Sequence, residues 1–371
     1  MSADALPALD QAEGAPHPRE TERLFGQDRV IAQFLEAYNA DRLHHGWLVT
    51  GPRGVGKATL AWAIARFLLA TPPAGDAGLF GAPPPLASLR VDPDHPVARR
   101  ILAGADPGLF ALRRGHDDKT GRPKSMITVD ETRKLAGFFN LSAADGGRRV
   151  VIVDSADDLN VNAANALLKM LEEPPARATL LLISHQPARL LPTIRSRCRE
   201  LRLDRLAPAE MALALDQASI AVEPAQAAAL TELSSGSVGD EIRVINLNGL
   251  QLYADLIDML GTLPNLDRQR VLRLAETLAQ RGKETRLDLF LTLLDIAMAR
   301  LARTGVMGQP PHVQAAPHES TVLARLAASP QDGRRWAELS SSMGDRLRHG
   351  RAVNLETTAL LTDAFLKLET A

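Results

Sequence analysis

One cysteine, Cys198, stands among 371 residues, which excludes an internal disulfide and any zinc module built from several cysteines. An excess of either charge is also missing. The formal net charge of −1 gives the chain as a whole no electrostatic pull toward DNA or an anionic membrane. No apolar run approaches the ~20 residues of a membrane-spanning helix. The opening stretch, residues 1–20, has neither the basic start nor the apolar core of a secretory signal. Its polar, Pro/Ala-rich composition is read as a disordered arm, and the protein is expected in the cytoplasm. No internal repeat is evident. What is present is a 45% hydrophobic composition, sufficient for real cores, spread over a length that suggests two or three domains.

The most informative absence is a single hydroxyl. Gly51-Pro-Arg-Gly54-Val-Gly56-Lys57-Ala58-Thr59 follows the phosphate-loop pattern G-x-x-x-x-G-K-[ST] until its last position. In such a loop the backbone N–H groups cradle phosphates, the lysine reaches the outer ones and the hydroxyl binds Mg²⁺. Ala58 offers a metal nothing. Thr59 comes one residue late, and one helical step turns a side chain by about 100°. Gly51, Gly54, Gly56, Lys57, Thr59 and Asp154 therefore make up a degenerate nucleotide site. It needs no cofactor, leaves room only for weak ATP or ADP binding, and predicts no metal. A second absence agrees with the first. Asp154 closes the apolar segment Arg149–Asp154, where an acid would hold the water shell of Mg²⁺, yet the following position carries Ser155 rather than a glutamate base. Asp157 and Asp158, just beyond, read as caps of the next helix.

Around these motifs the pattern is α/β. A helix is predicted within residues 24–46, a buried strand over Trp47–Thr50 and a helix over Leu60–Leu69. Residues 71–96 form a Pro/Gly-rich insertion. A further element is predicted from Ile127, running into a helix over Glu131–Leu141. It is followed by the strand ending at Asp154, a helix over Asn162–Glu173, a strand over Thr179–Ile183, a short helix over Leu190–Arg195 and a strand over Cys198–Leu203. Strands apolar on both faces alternating with helices predict a parallel sheet covered on two sides, a P-loop α/β domain over residues 21–206. Three short helices over 207–248 predict a small lid domain. Residues 249–371 predict an all-α domain with helices at 250–260, 265–281, 285–304, 318–340 and 353–368. The stripe Leu287, Leu289, Phe290, Leu293, Leu294 and Ile296 carries more apolar surface than a lone bundle would be expected to expose, so a partner-bound collar is expected there.

Asn165-Ala-Leu-Leu-Lys169-Met-Leu-Glu172-Glu173-Pro174-Pro175, followed about twenty residues later by Arg195-Ser-Arg197-Cys198, resembles the clamp-loader branch of the AAA+ ATPases. The likeness runs from roughly Leu24 to Leu206. Arg23-Leu-Phe-Gly26-Gln27, His44-His45 and Asp94-His95-Pro96 are similar to boxes of that branch, and the defective loop is similar to its non-motor class in bacterial DNA polymerase III. The resemblance implies roles. Arg197 matches an arginine finger that reaches the ATP site of a neighbouring subunit. A sensor position falls on Ser184 or His185. A second sensor, an arginine in related motor subunits, is replaced by Gly239 in Gly236-Ser237-Val238-Gly239, with Arg243 one turn later. The insertion at 71–96 stands where relatives often carry a four-cysteine zinc module, so no zinc is expected.

On this resemblance the chain is expected to be a stator with little or no ATP hydrolysis of its own. It would lend Arg197 to a gamma/tau motor subunit and assemble with a delta subunit to place a sliding clamp on primed DNA, with no membrane partner. An active AAA+ ATPase motor of a clamp or helicase loader is the alternative, since Lys57 and Asp154 remain. A direct DNA-binding module built on Arg334, Arg335, Arg346, Arg348 and Arg351 is a third reading. Glu338 and Asp345 interrupt that cluster, and only Trp336 accompanies it.

Overall fold

A computed structural model describes residues 10–11, 14–71, 84–117, 121–140, 147–353 and 355–369. The chain divides into two compact units. One comprises the residues up to Ala221 together with Gly236–Gly239; the other comprises Val222–Ser235 and the residues from Asp240 onward. No helix among the described residues is long and apolar enough to cross a membrane.

The first unit opens with helix α1 (Asp28–Asn39), strand β1 (Gly46–Thr50), α2 (Lys57–Ala70), α3 (Pro96–Leu102) and β2 (Leu109–Arg113). It continues with α4 (Val129–Asn140), β3 (Arg149–Asp154), α5 (Val161–Glu172), β4 (Ala178–Ile183), α6 (Pro192–Arg195), β5 (Arg199–Arg202) and α7 (Pro208–Gln217). The five strands form one parallel sheet in the order β2-β3-β4-β1-β5. Side chains alternate between its faces with period two. Trp47, Val49, Val150, Ile152, Leu181 and Ile183 pack with α1 and α2 residues such as Phe34, Leu60 and Ile64. Leu48, Val151, Val153, Leu180 and Leu182 pack on the other face with Leu135 of α4 and Leu167 of α5. The expected P-loop α/β architecture is therefore present, with helices covering both faces of the sheet.

Two pieces of this unit differ from expectation. α3 and β2 fall where no element was predicted. β2 is a five-residue edge strand with only Leu112 fully buried, so it lacks the two-sided apolar pattern that marks the inner strands. Part of the stretch read as a disordered arm is packed. His17 is buried, pairs with Asp10 at 3.2 Å and sets its ring edge against Trp62, while Arg66 donates to the Arg19 carbonyl at 2.6 Å. Residues 1–9 of that arm, and 72–83 of the insertion, lie outside the described residues.

The second unit is helical. It contains α8 (Pro224–Ser234), most of α9 (Val238–Asn246), α10 (Gly249–Gly261), α11 (Arg268–Ala279), α12 (Glu284–Met307), α13 (Glu319–Leu326), α14 (Pro330–Ala352) and α15 (Thr357–Glu369). The single helix expected over 318–340 is two. Ser329 caps α14 by accepting from Asp332 N at 3.2 Å, and Pro330 fills its first turn. The α12 stripe is not left open either. Leu287, Leu289, Phe290, Leu293 and Leu294 are all buried in this unit's own core, together with Trp336, Met343 and Phe365, so that stripe gives no reason to expect a partner.

A buried ionic knot crosses this core. Glu319 accepts from Tyr253 Oη at 2.6 Å, from Arg300 Nε at 2.7 Å and from Ala315 N at 2.6 Å, and Arg300 also donates to the Val313 carbonyl at 2.6 Å. Removing Glu319 takes the buried partner from the Arg300 guanidinium and leaves it the half-exposed Glu232 at 2.9 Å. Glu319→Ala is expected to destabilise the chain by about 3–5 kcal/mol in urea denaturation; a loss under about 1 kcal/mol would show that the knot is dispensable.

Candidate functional site

β1 delivers the chain into the loop Gly51–Lys57 at the carboxyl edge of the sheet. Gly51 has φ +135°, and a Cβ there would lie 2.5 Å from the Leu203 carbonyl oxygen. Gly54 has φ +74°, and a Cβ there would run into Ser237 Oγ. Both positions demand glycine on conformation and on space. Gly56, at φ +97°, precedes the first residue of α2, so the loop opens onto a helix N-terminus with its backbone donors free of the helix ladder. This is the cradle that phosphate requires.

Lys57 is buried, and its ammonium donates to the loop's own carbonyls, Gly51 at 2.8 Å and Pro52. Ala58 packs against the apolar cluster of the α2 face, and Thr59 is half-buried one step around the helix. A phosphate thus finds donors in the loop, whereas a divalent metal finds a methyl group where its hydroxyl ligand would stand. The residues present fit a nucleotide's phosphates and do not fit the catalytic metal, so no hydrolytic step is derived for this site.

Gly236–Gly239 lies on the loop. Ser237 Oγ donates to the Arg53 carbonyl at 2.9 Å, and Gly239 N donates to the Gly54 carbonyl at 3.0 Å. A Cβ at Gly239 would sit 3.0 Å from Gly54 Cα, so an arginine at this position would press on the loop backbone. Arg243, considered as a substitute, belongs to the helical unit.

Asp154 ends β3 opposite Arg113 of β2. Burial raises its carboxyl to about 6, and the carboxylates of Asp10 and Asp158 add to the rise against the opposing charges of Lys57 and His17. Ser155, in the position of the missing base, is buried. Asp157 and Asp158 do not cap α5, contrary to expectation. Asn160 does so, accepting from Ala163 N at 2.8 Å. Asp158 instead pairs with Arg114 at 3.3 Å. Asp157 ties the exit of β3 to the exit of β4. It accepts from Ser184 Oγ at 2.7 Å, from His185 N at 2.5 Å and from Gln186 N at 3.3 Å.

That staple separates the two sensor candidates. Ser184 is fully buried and its hydroxyl is committed to Asp157. His185 is the member of the pair that feels the loop. Burial first, then the charges of Lys57 and Arg53, lower its ring to about 4 against the pull of Asp157. Nothing in the residue types foretold this, because it depends on which neighbour Asp157 engages.

The opening box is stitched to the segment after β5 and to α7 of the same unit. Gln27 donates to the Asp204 carbonyl at 2.8 Å and accepts from Asp204 N at 3.2 Å, and Arg23 exchanges two hydrogen bonds with the Gln217 side chain, at 3.1 and 2.9 Å.

Arg197 stands elsewhere. Its carbonyl oxygen is 3.1 Å from the place a Cβ on Gly46 would occupy, and β5 starts two residues later with Arg199 beside Trp47. Arg197 is therefore level with the first residue of β1, while the loop begins after the last. Five extended residues separate the two by roughly 16 Å, beyond the reach of one side chain. The guanidinium pairs with Glu172 at 2.8 Å and donates to the Thr193 carbonyl at 3.0 Å. Arg195 is exposed.

The family described as "DNA polymerase III, delta subunit" matches residues 26–207. DNA polymerase III subunit delta' of Pseudomonas aeruginosa is 37% identical over 228 residues, 61% of this chain and 62% of that one, so the match spans about three fifths of that relative. The Escherichia coli subunit delta' is 32% identical over 272 residues, covering 72% of this chain and 74% of the relative. A tau subunit of Salmonella typhimurium is 28% identical over 76% of this chain and 41% of its own length. A gamma subunit-related protein of Thermotoga maritima superposes with a TM-score of 0.37 at 16% identity, covering 91% of this chain and 99% of that one.

The electrostatics of Asp154 give a test. Its folded-state value, about 6, lies above the ordinary 3.8, so the folded chain holds the proton more tightly and stability falls as pH rises across that window. At neutral pH the ionised carboxylate is a burden. Asp154→Asn is expected to raise stability by about 1–3 kcal/mol at pH 7.5 in metal-free buffer, with the gain vanishing below about pH 4. Equal or lower stability of the variant at pH 7.5 would mean that the carboxylate is not strained there.

Proposed function

The chain belongs to the delta' subunit family of DNA polymerase III, and we propose that it works as the stator of a clamp loader, presenting Arg197 to the nucleotide of an adjacent motor subunit. One observation carries this reading. Arg197 and the phosphate loop lie at opposite ends of β1, so the arginine does not reach its own chain's loop and is placed to serve another protomer. A guanidinium is permanently charged and forks onto phosphate oxygens, and a finger supplied in trans raises related phosphoryl transfers by about 10³–10⁵-fold.

The chain's own loop would keep a shape-bearing role. Gly51, Gly54, Gly56 and Lys57 retain a phosphate cradle, into which ATP or ADP would bind weakly, without zinc and without turnover. Ala58 and Ser155 deny the site a metal hydroxyl and a base. The motor alternative draws on Lys57 and Asp154 alone, without a metal hydroxyl or a base beside them, and Asp154 is set to hold a proton more tightly than usual. Three of the five arginines behind the DNA-module reading are engaged by acids of the same chain. Arg346 pairs with Asp363 at 2.6 Å, Arg348 with Asp345 at 2.9 Å and Arg351 with Asp288, while Trp336 is buried.

The partners that fit this reading are gamma/tau motor subunits, a delta subunit and, through the assembly, a sliding clamp and primed DNA in the cytoplasm. Subunits named tau and gamma/tau are themselves among the chain's relatives, as expected of subunits built on one plan. In a loader reconstituted with those partners, Arg197→Ala is expected to leave assembly intact and to lower DNA-stimulated ATP turnover at least tenfold per finger-dependent site. Lys57→Ala is expected to change it less than twofold. Full turnover with Arg197→Ala, or a collapse with Lys57→Ala, would reverse the assignment.

A further inference from the structure

Glu172 has no place in the reading above, yet it holds the residue on which that reading turns. It is the last residue of α5, and its carboxylate grips the Arg197 guanidinium at 2.8 Å. The other arm of the fork donates to the Thr193 carbonyl at 3.0 Å. The two ends of Arg197 are held differently. Its backbone is fixed: the amide donates to the Ile194 carbonyl at 3.1 Å, and the carbonyl is wedged beside Gly46. Its side chain is tied only at the surface, to an acid about half exposed.

The geometry points to Glu172 as a latch that keeps Arg197 withdrawn until phosphate from the adjacent protomer competes for it. This rests on the finger role proposed for Arg197. A carboxylate at the last residue of a helix sits in the negative end of the macrodipole, so a cation is welcome there and the parked state is favoured. An exposed ion pair is nevertheless weak. A terminal phosphate carries more charge and accepts both arms of the fork, so it wins the guanidinium when correctly placed. The pair is thus strong enough to bias the resting position and too weak to block engagement. Glu172 acts through Arg197 and touches no reacting atom; it is a positioning residue.

The test uses the reconstituted loader with wild-type chain, Glu172→Gln, Arg197→Ala and the double variant. ATP turnover is measured with and without primed DNA, and each free chain is melted. The latch predicts that Glu172→Gln raises DNA-free turnover about twofold to fivefold, leaves the DNA-saturated rate within twofold, and has no effect once Arg197 is alanine. Gain of activity with an unchanged melting temperature is not what a merely structural loss produces. If Arg197→Ala lowers turnover while Glu172→Gln matches wild type, the latch is wrong and the finger stands. A Glu172→Gln gain that persists in the Arg197→Ala background also overturns the latch. If Arg197→Ala changes nothing, the finger fails and the latch falls with it.

Discussion

The parallel pairing of β1 with β5 is the constraint from which the rest follows. β1 is five residues long and buried throughout, and β5 runs beside it in register, Trp47 against Arg199 and Thr50 against Arg202. The strand therefore holds two chemical devices at a fixed separation: a phosphate loop beyond its last residue and an arginine beside its first. Neither can drift toward the other, because β1 is also paired along its other edge to β4 and its side chains are locked into both cores. The cradle and the cation therefore cannot meet within one molecule, which is the separation the proposed finger role draws on.

At the loop end, the charges are arranged to settle among themselves. Lys57 turns to loop carbonyls, Asp157 holds the two strand exits together, and burial, helped by the cations it faces, lowers the His185 ring. A motor site holds such groups ready for a metal and a water. Here the acid that would serve the metal binds its proton more tightly than an ordinary aspartate, and the position that would serve the water is a buried serine. The loop keeps the shape of a phosphate cradle while these groups are engaged with one another.

Much of this was legible in the sequence, for identifiable reasons. The inner strands were recognisable because β-branched and leucine runs such as Arg149–Asp154 and Ala178–Ile183 have no polar face to disguise them. The loop announced itself through glycines whose positive φ angles no other residue type accepts comfortably. β2 escaped because an edge strand needs only one good face, and the break between α13 and α14 escaped because Ser329-Pro330 interrupts a pattern that is apolar on both sides. The α12 stripe was legible as apolar but not as satisfied. Burial is decided by helices far along the chain, and no local period reports their presence. The contacts of Asp157 and Glu172 and the surroundings of His185 lay further still from the sequence, since each depends on a neighbour brought in by the fold: 27 residues separate Asp157 from Ser184.

The missing motor parts differ in how deeply their loss is built in. Ala58 is a local departure, since alanine differs from serine by a single oxygen atom. Gly239 is another matter. Its amide is bonded to Gly54 and a Cβ there would crowd the Gly54 α-carbon, so the segment supports the loop through its backbone. Restoring a serine after Lys57 would return a ligand to a site whose neighbouring segment now rests on the loop in place of an arginine. The two departures are thus of different kinds: one leaves out a side-chain oxygen, the other adds a backbone contact to the loop.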